Sequence, residues 1–169
     1  ADGQLNFPYG VCISPDGSEL VVADTSNDRI QIFGYAHGEL RRVIQKTAAP
    51  PPTPLSYPGA VFIHPVSQLL YVSDCNNARV CVFSLEGDFH FSFPIPRAPW
   101  TMFYEPTADQ VYVAAESTVT IVDAQGQLQR IIELPFCQYP RGLTMLPDTM
   151  EMVVADYDRN QLLVFSKNG

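Results

Sequence analysis

The sequence is poor in basic residues. Its 169 residues include 10 lysines and arginines against 18 aspartates and glutamates, which gives a formal net charge of −8. A protein with this charge repels phosphate backbones and anionic membrane surfaces, so the charge argues against nucleic acid as a partner. The sequence also has no run that approaches the roughly 18 consecutive apolar residues of a membrane helix. It is therefore typical of a soluble protein that neither crosses a membrane nor binds nucleic acid.

Residue patterns of metal and catalytic sites are also missing. The four cysteines, Cys12, Cys75, Cys81 and Cys137, form no C-x-x-C pair and have no histidine at zinc-ligand spacing. The sequence contains neither a G-x-S-x-G nucleophile motif nor a glycine-rich phosphate loop. We therefore expect no metal, no cofactor and no catalytic residue. The apolar surroundings of Cys12 and Cys81 predict free thiols, which favour a reducing compartment such as the cytoplasm.

The sequence contains one motif that is repeated four times. Each copy opens with a proline and has a second proline seven residues later. The opening prolines are Pro8, Pro58, Pro99 and Pro140, at spacings of 50, 41 and 41 residues. Self-similarity at this period indicates a propeller or a solenoid.

An aspartate recurs sixteen residues after the opening proline, at the end of an apolar run. It is Asp24, Asp74 and Asp156 in three copies, whereas the third copy has Ala115 and is two residues shorter before the end of its next apolar run. A carboxylate just after a strand accepts hydrogen bonds from backbone N–H groups of the next turn, so its recurrence predicts a structural role. We expect the third repeat, which lacks the acid, to be locally the least stable.

Arginines follow two of these aspartates at a fixed distance. Arg29 and Arg79 each come five residues after the aspartate of their own repeat. This spacing places them across a predicted hairpin, where we expect them to pair with Asp24 and Asp74 or with their turns. Such pairs contribute little to stability unless they are buried.

Each repeat divides into short apolar segments bounded by turn residues, the pattern of an all-β protein. In the first copy, strands are predicted at Gly10–Ser14, Glu19–Ala23 and Arg29–Phe33, with a loop at Thr25–Asp28. Gly38 then begins a turn into a fourth strand. Four antiparallel strands per repeat make a propeller blade. The innermost strands are expected near residues 10–14, 60–64, 101–105 and 142–146.

The motifs of the first two repeats resemble the NHL repeat. They read PYGV, VVAD and NDRIQIF in the first copy, and PGAV, YVSD and NARVCVF in the second. The resemblance implies an all-β fold, a β-propeller of four-stranded antiparallel blades, over residues 1–169. Its repeats lie at approximately 8–46, 58–93, 99–134 and 140–169, with a proline-rich loop between blades at 47–57.

The number of repeats is compatible with two kinds of propeller. NHL propellers usually have five or six blades, so four copies imply a stretch of a larger propeller. The alternative is a four-bladed ring in which residues 1–7 supply the fourth strand of the last copy. We favour the larger propeller because a four-bladed ring lies at the lower limit of known propellers.

The resemblance implies a binding platform rather than a reaction. We therefore expect a non-catalytic scaffold that binds a protein partner, or a larger assembly, through one propeller face. The loops that lead into the innermost strands carry aromatic and arginine side chains, which dominate binding hot spots. Gly59 occupies one of these positions, so folding does not require bulk there. The candidate partner-binding residues are Tyr9, Trp100, Tyr139 and Arg141.

An enzyme is the first alternative. Amidating lyases and lactonases that resemble NHL propellers hold a central metal. In this sequence His37 lies in a predicted turn, His64 at the end of an innermost strand and His90 in an outer strand. Such positions lie at different distances from the propeller axis, so the three side chains do not converge on one site. Glu105 matches the carboxylates of lactonases in residue type alone.

RNA binding is the second alternative, because some NHL domains bind RNA through a basic face. Here only Arg41, Arg42 and Lys46 cluster, and they lie on an outer strand, which argues against such a face.

A further question concerns the proline-rich segment at 48–55. It is either a stiff loop between blades or an extended ligand for an aromatic groove.

Overall fold

The computed structural model of the protein describes residues 2–45 and 53–166. It consists of two compact units, Ala1–Pro94 and Ile95–Gly169. In both units antiparallel strands pair into small sheets in which neighbours in sequence lie side by side. Each sheet is a propeller blade, so the expected all-β propeller fold is confirmed. No helix in the described ranges is long and apolar enough to span a membrane.

The first unit contains two four-stranded blades. Blade 1 consists of β1 (Pro8–Ile13), β2 (Glu19–Asp24), β3 (Arg29–Gly34) and β4 (Leu40–Ile44). Blade 2 consists of β5 (Pro58–Ile63), β6 (Leu70–Asp74), β7 (Arg79–Phe83) and β8 (Phe89–Pro94). Single-turn 3-10 helices, Thr25–Asn27 and Cys75–Asn77, join the second strand of each blade to the third, where the sequence predicts a loop.

The second unit contains blades 3 and 4. Blade 3 consists of β9 (Thr101–Glu105), β10 (Gln110–Ala115), β11 (Thr118–Asp123) and β12 (Leu128–Glu133). Blade 4 consists of β13 (Pro140–Met145), β14 (Glu151–Asp156) and β15 (Gln161–Ser166). Within the described residues, blade 4 is three-stranded and β15 is its outer edge.

The opening proline and the recurring aspartate face each other across the first hairpin of a blade. Pro8 pairs with Asp24, and the corresponding residues of blades 2 and 4 pair in the same way. Proline is tolerated as the first residue of a strand, where its missing N–H is not needed. The innermost strands of these three blades therefore begin two residues earlier than the sequence predicts.

Blade 1 packs β2 and β3 against the innermost strand of blade 2. The buried cluster between them includes Val21, Ala23, Ile30 and Ile32 of blade 1 and Val61 and Ile63 of blade 2. The two innermost strands approach so closely that a Cβ on Gly10 would lie 2.4 Å from the carbonyl oxygen of Gly59. The second strand of a blade is apolar on both faces because a neighbouring blade covers it.

Blade 3 packs on blade 4 in the same manner. Their buried cluster includes Tyr112, Ala114, Val119 and Ile121 of blade 3 and Leu143, Met145, Met152 and Val154 of blade 4. Gly142 occupies the position of Gly10, two residues after the opening proline. A Cβ on Gly142 would lie 3.4 Å from that of Ala155, which is ordinary van der Waals contact. The close approach at this position is therefore specific to blade 1.

Residues 2–7 do not form a strand, in contrast to the four-bladed alternative. Asp2 forms an ion pair with Arg29, with 2.6 Å between Oδ1 and Nη1. The backbone N–H of Gly3 donates to the Gln31 side chain at 2.8 Å. The segment therefore lies on its own blade, where polar side chains of β3 hold it.

The proline-rich loop lies partly outside the described residues, which resume at Thr53. Its described part is bound to blade 2. Arg79 Nη2 donates to the carbonyl of Thr53 at 2.7 Å, and Asn77 Nδ2 donates to that of Pro54 at 2.9 Å. The end of the loop is thus held by the segment that follows the recurring aspartate.

Candidate functional site

Asp24 is the centre of a hydrogen-bond network that joins the segment before Pro8 to blade 1. The side chain is fully buried. Its Oδ1 accepts the backbone N–H of Asn6 at 2.6 Å, and its Oδ2 accepts Arg29 Nε at 2.7 Å and Gln31 Nε2 at 2.8 Å. The backbone donor thus lies before the opening proline, whereas the sequence predicts one in the next turn.

Opposing effects set the pKa of Asp24. Burial acts to raise the pKa, but hydrogen bonds from the Asn6 N–H, Arg29 and Asn27 outweigh it, so the pKa lies below the usual value of aspartate. The carboxyl group is therefore ionised at neutral pH, with donors of its own blade on both oxygens. It fixes a loop in place and has no proton to give to a substrate.

Blade 2 repeats this network. Asp74 is fully buried and accepts the backbone N–H of Ser56 at 2.8 Å. Its Oδ2 accepts Arg79 Nε at 2.7 Å, and Asn77 Nδ2 donates to the same carboxylate at 2.9 Å. The recurring aspartate therefore has the same geometry in both blades of the first unit.

Blade 4 contains a looser version of the network. Asp156 accepts the backbone N–H of Tyr139 and the side chain of Gln161, both at 3.3 Å. Arg159 donates to the carbonyl of Phe136. The network thus holds the segment 136–139, which carries one of the candidate binding residues.

Blade 3 replaces the network with a tight hairpin. Ala115 pairs with Thr118, whose Oγ1 donates to the carbonyl of Ala115 at 3.0 Å. Glu116 has a φ of 48°, the left-handed conformation that a two-residue hairpin turn requires. The absence of the aspartate and the two-residue deletion therefore belong to the same local change, which is a shorter turn between the second and third strands.

Glu105 and His64, the acid and one of the three histidines considered for an enzyme site, both stabilise turns. Glu105, at the end of β9, accepts the N–H groups of Thr107 and Ala108, each at 2.8 Å. His64, after β5, is buried, and its Nδ1 accepts the N–H of Ser67 at 3.1 Å. Among the described residues, no group of three or more His, Cys, Asp and Glu side chains is placed to hold a metal ion.

All four cysteines are free thiols. Desolvation by burial raises the pKa of Cys12 and that of Cys81 to about 12. Both thiols are therefore protonated at neutral pH, and a protonated thiol is a poor nucleophile. They act as small apolar side chains in the blades.

Arg141 lies in an aromatic cluster at the beginning of blade 4. Its guanidinium carbon lies 3.6 Å from the ring centre of Trp100. The ring centres of Tyr139 and Tyr157 lie 5.7 Å and 5.9 Å from the same carbon. Distances below about 6 Å allow cation–π attraction. The structure thus brings together three of the four candidate binding residues.

This Arg141 cluster, formed by Trp100, Tyr139, Arg141 and Tyr157, lies at the surface. Tyr157 is 68% exposed and Tyr139 is 42% exposed, while Trp100 and Arg141 are half-buried. An open cleft of about 640 Å³ adjoins it. The cleft walls include Glu116, Phe136, Tyr139 and Arg159. The surface therefore combines apolar rings with charges of both signs.

Tyr9, the fourth candidate, belongs to the first unit. It is 42% exposed in β1, close to the register shift between Pro8 and Val11. Tyr9 and the Arg141 cluster therefore belong to different units of the protein.

Comparison with known families assigns the repeat. The NHL repeat matches residues 5–33, which include β1, β2, all of β3 except Gly34, and the donors to Asp24. The chain is a β-propeller that contains an NHL repeat. No curated protein sequence matches this propeller.

Solved structures share the propeller's fold at low sequence identity. Hydrazine synthase of Kuenenia stuttgartiensis is 18% identical with a TM-score of 0.74, over 97% of this chain and 51% of that one. A putative 6-phosphogluconolactonase of Bacteroides uniformis is 19% identical with a TM-score of 0.71, over 95% and 50%. Virginiamycin B lyase of Staphylococcus aureus is 16% identical with a TM-score of 0.73, over 94% and 55%. The NHL-repeat propeller thus spans about half the length of these structures.

Tyr157 is the member of the Arg141 cluster that the sequence reasoning missed. It directly follows the recurring aspartate, a position that Thr25 and Cys75 occupy in the first two repeats of the propeller. Both of those side chains are 2% exposed, whereas Tyr157 is 68% exposed. A bulky aromatic residue at a position otherwise filled by small buried residues was the available signal.

Proposed function

We propose that this NHL-repeat propeller is a non-catalytic scaffold that binds a protein partner through the Arg141 cluster. The observation that carries the proposal is the stack of Arg141 on Trp100, with Tyr139 and Tyr157 exposed beside it. Tryptophan, tyrosine and arginine are the residues most enriched in binding hot spots.

The geometry of the cluster suits a protein interface. A guanidinium that stacks on an indole ring is planar and more weakly hydrated than an ammonium group, so its desolvation on binding costs less. Tyrosine and tryptophan supply a large contact area with few rotatable bonds, which limits the entropy lost on association. Half-burial of Trp100 and Arg141 supports a surface that is ordered before a partner arrives.

The roles of the buried carboxylates also favour a scaffold over an enzyme. Asp24 and Asp74 each accept an arginine and a backbone N–H, and Glu105 accepts two backbone N–H groups. These groups hold loops and turns of their own blades. The lactonase and the lyase among the solved structures share only the fold at their level of identity, so they motivate an enzyme assay rather than an assignment.

The experiment compares wild-type protein with Trp100→Ala and Tyr35→Ala as baits in extracts of the native cells, with quantification of the recovered proteins. Tyr35 is the matched control because it is an aromatic residue of the first unit with 60% exposure. Loss of a central aromatic anchor typically costs about 2 kcal/mol or more, so affinity falls roughly thirtyfold. We expect a partner that is recovered by wild type and Tyr35→Ala but lost with Trp100→Ala.

The partner is then purified and its affinity for the three folded proteins is measured directly. Equal affinity for wild type and Trp100→Ala would contradict the proposal. A loss of affinity would also contradict it if circular dichroism shows that Trp100→Ala is unfolded. Hydrolysis of a lactone by wild-type protein that a chelator abolishes would favour the enzyme alternative.

A further inference from the structure

The described part of the proline-rich loop begins at a threonine that a proline follows directly. We propose that this residue, Thr53, is a phosphorylation site for a proline-directed protein kinase. The sequence contains two steps in which a serine or threonine precedes a proline, Ser14-Pro15 and Thr53-Pro54. The structure gives the two hydroxyl groups opposite surroundings, and this contrast selects Thr53.

Ser14 is part of the first turn of blade 1. It is 5% exposed, its hydroxyl donates to Oδ1 of Asp16, and its oxygen accepts the backbone N–H of Glu19 at 2.9 Å. His64 and Glu105 occupy the same repeat position in blades 2 and 3 and also accept N–H groups of the turn. The hydroxyl of Ser14 therefore stabilises the turn, and a kinase would reach it only after the hairpin of β1 and β2 opens.

Thr53, in contrast, has an exposed side chain and an anchored main chain. Thr53 and Pro54 are both exposed. Their carbonyl groups accept Arg79 Nη2 at 2.7 Å and Asn77 Nδ2 at 2.9 Å. Leu55, the next residue, is 5% exposed. The loop is thus held by carbonyl groups and one apolar side chain, so a phosphate on the threonine hydroxyl leaves these contacts in place.

The position of Thr53 lies between two complete blades. The loop connects β4 to β5, and both blades are four-stranded parts of the first unit. The blades on either side of the loop are therefore present when Thr53 is exposed.

Pro54 supplies the element that a proline-directed kinase recognises. Proline has no backbone N–H, so a kinase pocket that lacks a hydrogen-bond acceptor at this position accepts proline and leaves the N–H of any other residue unsatisfied. Selection by such a pocket depends on the residue after the acceptor and not on a wider motif.

The reaction transfers one phosphoryl group from ATP. Oγ1 of Thr53 forms a bond to the γ-phosphorus as the bond between that phosphorus and the β–γ bridging oxygen breaks. ADP leaves, and the hydroxyl proton passes to the catalytic aspartate of the kinase. The product carries an additional charge of about −1.5 to −2 at pH 7 on the loop between blades 1 and 2.

The test incubates the folded protein with magnesium, ATP and a purified proline-directed kinase. A MAP kinase and a cyclin-dependent kinase are used separately, and mass spectrometry locates the phosphate. We expect one phosphoryl group per chain on Thr53 and none on Ser14. Thr53→Val removes the hydroxyl at similar volume and is expected to take up no phosphate. Wild-type protein that neither kinase modifies overturns the proposal, as does phosphate that appears on Ser14 as fast as on Thr53.

Two comparisons test whether the kinase reads the proline. Pro54→Ala keeps the acceptor hydroxyl and is expected to lose phosphorylation. Thr149 is the control within the wild-type chain, because it is exposed but precedes a methionine, and we expect it to remain unmodified. Equal rates for wild type and Pro54→Ala, or equal modification of Thr149 and Thr53, would show that the step is not proline-directed.

Circular dichroism of the phosphorylated protein tests whether the site belongs to the folded state. We expect unchanged β-structure, because the anchors of the loop are its carbonyl groups and Leu55. A phosphorylated product that has lost its β-structure overturns the proposal. Trp100→Ala is expected to be phosphorylated at the rate of the wild type, so this test is independent of the proposed binding site.

Discussion

Blades 1 and 3 connect their second and third strands in different ways. In blade 1 the strands are joined by a single-turn helix beneath buried Asp24, whose carboxylate binds the segment before β1. In blade 3 Ala115 takes this position and a two-residue turn closes the hairpin onto Thr118. The second strand is buried to the same degree in both blades. The aspartate is therefore not needed for strand pairing, and its contribution in blade 1 is to hold the segment that leads into the blade.

The largest effect is expected from Asp24→Ala in blade 1. This change leaves the 95% buried Arg29 without its principal acceptor and removes the anchor of Asn6. Loss of one partner of a buried ion pair typically costs about 3–5 kcal/mol, and we expect a decrease in the free energy of unfolding in that range. Urea denaturation measures it. The control Asp88→Ala alters an exposed acid and is expected to change stability by less than about 0.5 kcal/mol. A loss for Asp24→Ala no larger than that of the control would show that the network is not structural.

The innermost strands provide the next comparison, between Gly10→Ala and Gly142→Ala. The added methyl group would clash with the backbone of Gly59 in blade 1 but would make ordinary contact in blade 4. Overpacking typically costs about 1–3 kcal/mol, so we expect a loss of that size for Gly10→Ala alone. Thermal and urea unfolding of both variants give the difference. Equal losses would indicate that blades 1 and 2 separate readily at this point.

Acid unfolding is expected to depend on Asp24. Its folded pKa is depressed, so the stability it contributes is fully present above the unfolded pKa of about 3.9 and is lost as pH falls through the folded pKa. Asp24→Asn removes this titration. The free energy of unfolding of wild type is therefore expected to fall more steeply below about pH 4 than that of the variant. Parallel curves in urea titrations at successive pH values would contradict the depressed pKa.

The smallest effect is the local stability of blade 3 relative to blade 1. Blade 3 lacks the hydrogen bonds of the aspartate network, and a net hydrogen bond contributes roughly 1 kcal/mol. We therefore expect faster amide hydrogen exchange in residues 113–120 than in residues 22–30, measured by mass spectrometry. Slower exchange in 113–120 would mean that the tight hairpin fully compensates for the missing acid.

The fold was predictable from the sequence because every repeat carries the same signals at the same offsets. The opening prolines, the apolar runs and Asp24, Asp74 and Asp156 placed the strands to within two residues. The strand beginnings were displaced because the opening proline itself pairs with the aspartate.

The candidate site was predictable only in part. Trp100 and Arg141 follow opening prolines that are 41 residues apart, and nothing in a single repeat indicates that their side chains stack. The contact depends on how blade 4 packs on blade 3, which is a tertiary property. Tyr157 was missed for the same reason, because it reaches the cluster from the far end of β14.

The central claim is that the recurring aspartate acts with its donors as one structural unit. A double-mutant cycle of Asp24→Ala and Arg29→Ala, measured by urea denaturation, tests it most directly. Because the side chains are buried and 2.7 Å apart, we expect a coupling energy near the upper end of the typical range, about 2–3 kcal/mol. Losses that simply add, with a coupling energy within about 0.5 kcal/mol of zero, would contradict the account.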